Sequence, residues 1–209
     1  MWFRNVRVYR FTKPIELSAE SLEQALSEAA FQPCGPHDTF RQGWVAPLGK
    51  HGSTLVHSSG GRHLICLRKE EKVLPSSVIK DAVMEKVEAI EAEQMRKVRR
   101  KEKDEIKEQV TMELLPQAFR RSRHTFAYLS PSDGFLVVDA GSAKQAEDLS
   151  SFLRKSLGSL PVRAPVVQQS PAFTLTGWVS GELPVAQHFL MGQEAELRAP
   201  GEEGGVIRC

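Results

Sequence analysis

The most concentrated set of functional side chains is a basic run between Met95 and Lys103, in which six of nine residues are Lys or Arg. These six residues are Arg96, Lys97, Arg99, Arg100, Lys101 and Lys103. On a helix they cover most of the surface and suit contacts with phosphate groups, since each neutralised phosphate releases counterions. Acidic residues flank the run at 85–93 and 104–108. A solvated helix with ion pairs four residues apart therefore explains the same pattern.

Two smaller groups of cations lie on either side of this run. They are Lys69 and Lys72 in the first group, and Arg120, Arg121 and Arg123 in the second. The first group belongs to a segment of mixed charge at the end of a predicted strand, where surface ion pairs are common. The second follows Phe119 and either extends a basic surface or lies at the C-terminus of a helix, whose dipole favours cations.

No pattern typical of catalysis is present in the sequence. The segment from Cys34 to His37 offers one pair of metal ligands but lacks the second pair that a structural zinc site requires. The six histidines show neither an H-E-x-x-H motif nor a Ser/His/Asp arrangement, and the glycine-rich segments lack the lysine of a phosphate loop. We therefore expect a protein that is not an enzyme and that holds no metal or cofactor.

The aromatic residues bear on the kind of nucleic acid that the basic run suits. They make up 7% of the chain and do not alternate with basic residues as they do in proteins that stack on single strands. Neither a helix-turn-helix nor a zinc-finger signature is visible. Trp2, Phe3 and Trp44 are expected in the core. The pattern thus favours binding to the backbone of duplex DNA without sequence-specific readout.

Composition indicates a folded protein of a reducing compartment. The 209 residues are 41% hydrophobic and 26% charged, with a net charge of +2. The three cysteines are widely spaced and odd in number, which argues against a disulfide framework. Arginines interrupt the first apolar residues, so they do not resemble a signal peptide, and no apolar run reaches the roughly 18 residues of a membrane span. We expect a soluble, intracellular protein.

The periodicity of apolar residues predicts alternating strands and helices, and hence an α+β fold. Strands are expected at 2–11, 43–47, 54–57, 62–73, 124–130, 135–139 and 189–197. Helices are expected at 19–31 and from Ser142 to Leu157, where Gly158 ends the helix. The segment 173–180 fits either a strand or a helix.

The segment from Pro75 to about Gln117 has a different character. It contains no glycine, and its next proline is Pro116, while apolar residues recur at helical spacing. One uninterrupted helix of this length would reach roughly 60 Å, more than a domain of this size spans. We therefore predict a break near Arg100–Asp104, or a projecting helical hairpin.

Several stretches in order along the chain resemble the RdgC family. They are WFRNVRVYRF near the start, FQPCG at 31–35, GWVAPLG at 43–49, RKEEKVLPSSVIK at 68–80, EAEQMRKVRRKEKDEIK at 91–107, LLPQAF at 114–119, AKQAEDLSSFLRKSLGSLPV at 143–162 and GGVIR at 204–208. The most specific part of this resemblance is RKEEKVLP at 68–75, followed later in the chain by RKSLGSLPV at 154–162.

The resemblance implies a curved protomer and a ring-shaped homodimer. Residues 1–74 and 120–165 would form a central α+β part, 75–119 a helical tip, and 166–209 the start of a base. Phe119 matches the tip phenylalanine of the family, which packs into the partner subunit. The family continues with further strands and helices beyond GGVIR, so we expect the base to be incomplete, and the chain to be a shortened form.

The resemblance also implies a function for the basic residues. Duplex DNA would pass through a positively lined hole, without sequence preference, and this coating would limit the access of the RecA recombinase during recombination. The expected location is the cytoplasm, in association with the nucleoid. The candidate DNA-binding residues are Arg96, Lys97, Arg99, Arg100 and Lys101, with Lys69 and Lys72 added. The alternative is a protein-interaction module of the recombination machinery, with incidental DNA contact.

Overall fold

A computed structural model describes residues 3–199 and 205–208 and shows an α+β fold with five helices and an antiparallel sheet in that part of the chain. The chain divides into one unit that ends at Pro165 and a second that begins at Val166. The helices are α1 (Ala19–Ser27), α2 (Ser76–Gln94), α3 (Arg100–Leu114), α4 (Ala143–Leu157) and α5 (Pro171–Ser180).

The first unit is built on a sheet of seven strands among the residues described. They are β1 (Val6–Phe11), β2 (Phe40–Val45), β3 (Val56–Ser59), β4 (Arg62–Val73), β5 (Phe119–Ser130), β6 (Phe135–Asp139) and β7 (Val162–Arg163). The order across the sheet is β2-β4-β5-β6-β1-β7, and β3 pairs with the first residues of β4 beside β2. All these pairs are antiparallel, so β4 and β5 form the centre and the longest part of the sheet.

The core lies between one face of this sheet and the helices α1 and α4. Alternate strand residues reach it, because side chains of a strand point to opposite faces in turn. The fully buried members include Leu22, Leu26, Trp44, Ile65, Leu129, Leu136, Leu149 and Leu153. Trp44 is in the core as predicted, Phe3 is half-buried against the Tyr128 ring, and Trp2 lies outside the described residues.

Helix α1 ends four residues earlier than the predicted range of 19–31. Ser18 caps its start by accepting a hydrogen bond from the amide of Ser21 at 3.1 Å. After the helix, Ala29 and Phe31 exchange backbone hydrogen bonds with Trp44 in β2 at 3.0 and 2.9 Å. Pairing with the sheet therefore replaces the last predicted helical turn.

Helix α4 has the predicted bounds. The Ser142 hydroxyl accepts a hydrogen bond from the amide of Gln145 at 3.2 Å, and Gly158 follows the helix with a φ of 73°. That left-handed conformation suits glycine and ends the helix. The helix is held to the sheet by apolar contacts and by the Trp44 indole, which donates a hydrogen bond to the Ser156 hydroxyl at 2.9 Å.

Helices α2 and α3 form a hairpin inserted between β4 and β5. The hairpin has a small core of its own, formed by Val83, Ile106 and Val110. Its break lies at Met95–Arg99 rather than at the predicted Arg100–Asp104, because Met95 adopts a left-handed conformation with a φ of 51°. Lys86 bridges the two helices through the Glu113 carboxylate at 2.7 Å.

The strand β4 has the predicted bounds, whereas β5 begins five residues before the predicted 124–130. Its first five residues, Phe119–Arg123, pair with the end of β4 from Lys69 to Val73. This pairing shows that the three arginines there belong to a strand and not to a helix end. The predicted strands at 2–11, 43–47 and 54–57 are observed with shifted bounds as β1, β2 and β3.

The second unit contains α5 and a two-stranded ribbon of β8 (Glu196–Arg198) and β9 (Val206–Arg208). The segment 173–180 is therefore helical, and the strand predicted at 189–197 is reduced to its last two residues. The Trp178 and Phe189 rings pack 5.2 Å apart. Gly204, the first residue of the GGVIR stretch, lies outside the described residues.

Candidate nucleic-acid interface

The turn between α2 and α3 presents the predicted basic run to solvent. Its backbone is fixed by Glu91, whose carboxylate accepts a hydrogen bond from the Val98 amide at 2.8 Å. Arg96 and Lys97 lie in the turn itself, while Arg99 lies just before α3 and the next two cations open that helix. All five predicted cations of the tip, Arg96, Lys97, Arg99, Arg100 and Lys101, are exposed. The structure therefore brings them together at one end of the hairpin.

Arg96 differs from the other four because its guanidinium is held within the turn. It donates two hydrogen bonds to the Glu102 carboxylate at 2.6 and 2.7 Å, and a third to the Gln94 side chain at 2.8 Å. Hydrogen bonding from Arg96 also holds the pKa of Glu102 below its usual value. Arg96 thus stabilises the turn, and fewer of its five N–H donors remain for a ligand.

The other four cations are not neutralised in this way. Among the residues that the structure describes, none of them forms an ion pair within 4.0 Å. They are Lys97, Arg99, Arg100 and Lys101. Four positive charges without a close ion pair lie within five consecutive residues, and together they create a local field that attracts a polyanion, whatever the net charge of the whole chain.

Lys72 lies away from this cluster, at the base of the hairpin. Its ammonium donates a hydrogen bond to the carbonyl of Leu115, just after α3, at 2.8 Å, and another to the carbonyl of Pro36. A cation near the last carbonyls of a helix is also favoured by the helix dipole. Lys72 therefore joins the hairpin, the sheet and the loop before β2, and two of its three donors are engaged within the protein.

Lys69 lies on the helix-covered face of the extended β4–β5 pair. The register places it opposite Arg123 and places Glu71 opposite Arg121. Glu71 pairs with Lys69 at 3.0 Å and with Arg121 at 3.1 Å, and these hydrogen bonds lower the pKa of the Glu71 carboxyl. Sequence reasoning could not find this arrangement, since it depends on the pairing of two distant strands.

The opposite face of the same strands carries a buried carboxylate. Glu70, only 3% exposed, accepts hydrogen bonds from the Cys34 amide at 3.0 Å and from Arg68 at 2.9 Å. Ser122 and Arg120 lie at 3.4 and 3.8 Å from its oxygens. The amide of Cys34, followed by Arg68, accounts for the lowered pKa of Glu70. This cluster fixes the loop before β2 to the sheet, close to the base of the hairpin.

The arginines after Phe119 therefore do not form one track. Arg120 points to the face that holds Glu70, whereas Arg121 and Arg123 point to the face that holds Lys69. Phe119 itself is 86% exposed and lies opposite Val73, which is 39% exposed. These two side chains form a small apolar surface where the hairpin leaves the sheet.

Within residues 3–199 and 205–208, no group of three or more His, Cys, Asp or Glu side chains is arranged to hold a metal ion. Of the helices in that same part, none has the length and apolar content needed to cross a bilayer. Cys34, part of the weak metal motif, is buried beside Glu70.

The fold and the site define an α+β protein whose antiparallel sheet carries an inserted helical hairpin with an exposed basic turn. The family model described as "Putative exonuclease, RdgC" matches residues 1–209. A protein of Aeromonas hydrophila is 53% identical over 210 residues, and one of Tolumonas auensis is 49% identical over 210 residues. Both are named recombination-associated protein RdgC, and each match covers 100% of this chain and 69% of the relative. The chain belongs to the RdgC family.

Proposed function

We propose that the protein binds duplex DNA through its backbone, without sequence preference, and modulates homologous recombination by limiting the access of RecA. The observation that carries the proposal is the hairpin turn, where Lys97, Arg99, Arg100 and Lys101 are exposed and unpaired among the described residues. The names of the relatives support a setting in recombination. The limitation of RecA and the association with the nucleoid in the cytoplasm are proposed from the family resemblance.

The test of this proposal is a titration of two labelled duplexes of unrelated sequence, repeated across a salt series. We expect equal affinities for the two duplexes, and a plot of log K against log salt with a slope of about −0.9 for each phosphate contacted. A labelled single strand of the same length serves as the comparison. Failure to bind either duplex at low salt, or a strong preference for one sequence, would contradict backbone binding.

The proposal includes a ring-shaped homodimer built from curved protomers. Residues 1–74 and 120–165 form its central part, 75–119 its tip and 166–209 the start of its base. Phe119 is the proposed dimer contact. Its side chain is 86% exposed, so burial in a partner subunit would remove this apolar surface from water and stabilise the dimer. The ring is proposed from the resemblance to the RdgC family. The contact at the tip is supported in addition by the exposure of Phe119.

Substitution Phe119→Ala tests that contact. We expect a shift from dimer toward monomer in sedimentation or light scattering. The stability of the monomer should change by less than about 0.5 kcal/mol, because the side chain is already exposed. Val166→Ala, which removes an equally exposed apolar group in the second unit, is the matched control. A dimer mass that persists at all concentrations would remove Phe119 from the interface.

We propose that the role is one of binding and not of catalysis. The word exonuclease in the description of the family model invites a direct assay. Labelled duplex incubated with the protein and Mg²⁺ or Mn²⁺ should stay intact. Progressive shortening of the strand, absent when the protein is omitted, would contradict the proposal.

A protein-interaction module is the second candidate, favoured by an apolar cleft along the hairpin. The cleft of about 390 Å³ is lined by Ile79, Val83 and Met84 from α2. Lys103, Asp104 and Lys107 of α3 form its other side. Such a cleft suits the apolar side of a partner helix with acidic flanks. Partner binding that is insensitive to salt, without affinity for DNA, would favour this second function.

A further inference from the structure

A second cluster of basic residues surrounds a cavity at the N-terminus of α4, separate from the hairpin turn. The cavity has a volume of about 290 Å³. Its charged wall is formed by Lys69, Arg121 and Arg123 on the sheet and by Lys144 on the helix. This volume is many times the roughly 10–15 Å³ that one water molecule requires, so the cavity can accept a ligand group.

The charges around the cavity are only partly compensated within the protein. Two carboxylates, Glu71 and Asp148, also line it, against four cations. Glu71 is engaged by Lys69 and Arg121 at 3.0 and 3.1 Å. In the part of the chain that is described, Arg123 and Lys144 form no ion pair within 4.0 Å, although Asp148 follows Lys144 by one helical turn.

The position of Lys144 adds to this imbalance. It is the second residue of α4, where the helix dipole places partial positive charge and where acidic residues are normally favoured. Lys144 and Arg123 line the same cavity, so their charges add to the partial positive charge of the helix N-terminus. Neutral donors are present as well, because Gln42, Ser142 and Gln145 line the same cavity. Cations and neutral donors around one cavity are the usual surroundings of a phosphate group.

We propose that this cavity is a binding site for a single phosphoryl group, with Arg123 and Lys144 as its principal ligands. Lys69 and Arg121 contribute positive charge and pair with Glu71, the carboxylate that lines the same cavity. The phosphoryl group belongs either to a DNA strand or to a small phosphate compound. The inference goes beyond the proposed function, because the site is separate from the hairpin turn and does not require duplex binding there.

Thermal unfolding in sodium phosphate and in sodium chloride of equal ionic strength tests the site without DNA. A ligand that binds only the folded state raises Tm, and at a phosphate concentration of about five times Kd we expect a rise of about 2–4 °C in phosphate relative to chloride. Arg123→Gln with Lys144→Gln should abolish that rise. Arg154→Gln with Lys155→Gln, which removes two cations from the other end of α4, should keep it.

Binding of a labelled duplex to the same variants then identifies the source of the phosphate. A loss of affinity of about tenfold in the Arg123/Lys144 variant, and not in the Arg154/Lys155 variant, would assign the site to DNA. Unchanged affinity for DNA, with the phosphate effect lost, would assign it to a small phosphate compound. If the duplex fails to bind even the unaltered protein, the proposed function is wrong while the phosphate effect still decides the cavity.

The proposal is overturned if phosphate raises Tm no more than chloride does, or if both double variants respond alike. Circular dichroism establishes that each variant is folded before it is compared. Should the double variant fail to fold, Lys144→Gln alone replaces it, because this side chain is exposed and its loss leaves the core intact. Broadening of the ³¹P resonance of inorganic phosphate by the unaltered protein, absent with Lys144→Gln, is the second measurement.

Discussion

The sheet and the helical hairpin of the first unit differ in how many apolar side chains they bury. The sheet buries a large set of apolar side chains under α1 and α4, and several of them are completely inaccessible. The hairpin buries Val83, Ile106 and Val110, packs six further apolar side chains partly against them, and exposes most of its other residues. Its stability therefore depends on few apolar contacts, while its surface is free to carry charge. The sheet thus positions the hairpin, and the hairpin presents the residues that we propose to bind DNA.

Truncation of one core residue in each region gives the largest expected difference. Leu136→Ala, in the completely buried part of the sheet, should lower the free energy of unfolding by about 2–5 kcal/mol. Val110→Ala in α3 removes less apolar volume and should cost about 1–3 kcal/mol. Chemical denaturation measures both values.

Amide hydrogen exchange decides whether the two regions are as independent as their cores imply. With Val110→Ala, exchange should accelerate in α2 and α3 and remain slow in β4 and β5. Equally accelerated amide exchange in the hairpin and across the sheet would contradict their independence, because the two regions would then unfold as one cooperative unit.

The buried carboxylate near the boundary between the regions gives the next effect. Glu70→Gln should cost about 1–3 kcal/mol at neutral pH, since the charged hydrogen bonds from Cys34 and Arg68 are weakened. The pKa of Glu70 is lowered in the folded protein from its ordinary 4.5, so its stabilising contribution is present above that pH. The contribution is lost as the pH falls through 4.5 toward the folded pKa.

The stability of the Glu70→Gln variant should consequently be less sensitive to acid than that of the unaltered protein. Glu147→Gln, an exposed carboxyl on α4, is the matched control and should leave the pH profile almost unchanged. Parallel pH profiles for the unaltered protein and the Glu70 variant would show that the buried network does not depend on the charge.

A smaller effect than that of Glu70 is expected from the Lys72 side chain, whose ammonium joins the sheet to the hairpin. Lys72→Met keeps much of the aliphatic chain but leaves the Leu115 and Pro36 carbonyls without this donor, at a cost of about 1–2 kcal/mol. Faster amide exchange should appear at the end of α3 and in the loop before β2. Lys80→Met, on the exposed side of α2, supplies the control. Unaltered exchange at the end of α3 would mean that Lys72 does not fix the hairpin.

Local signals in the sequence were sufficient for part of this architecture. The bounds of β4 agree with the prediction of a longer strand that becomes polar at its end, and those of α4 agree with the prediction from the Ser142 cap and Gly158. The hairpin was predicted from the absence of glycine and proline. Its break was placed too late, because a left-handed Met95 and a carboxylate of Glu91 fix the turn, and neither has a strong sequence signature.

The candidate site was less predictable than the fold. The basic run correctly predicts which tip residues are exposed. Its charge pattern does not distinguish Arg96, which pairs with Glu102, from the four cations that form no ion pair among the described residues. The positions of the other candidate residues depend on the register between strands, which the sequence does not reveal. The pairing of β4 with β5 divides the arginines after Phe119 between two faces and brings Arg123 opposite Lys69. A lysine that donates to carbonyls, such as Lys72, looks the same in sequence as one that faces a ligand.

The central claim, that the hairpin turn binds the DNA backbone, is tested most directly by removing its free charges. Replacement of Lys97, Arg99, Arg100 and Lys101 by Gln should weaken duplex binding and reduce the slope of log K against log salt by up to about 3.6, at about 0.9 per phosphate contact. The control replaces four exposed cations elsewhere, Lys13, Lys50, Arg154 and Lys155, and so matches the change in net charge. We expect a large loss of affinity in the hairpin variant and a small loss in the control. Equal slopes and equal affinities in the two variants would contradict DNA binding by the hairpin turn.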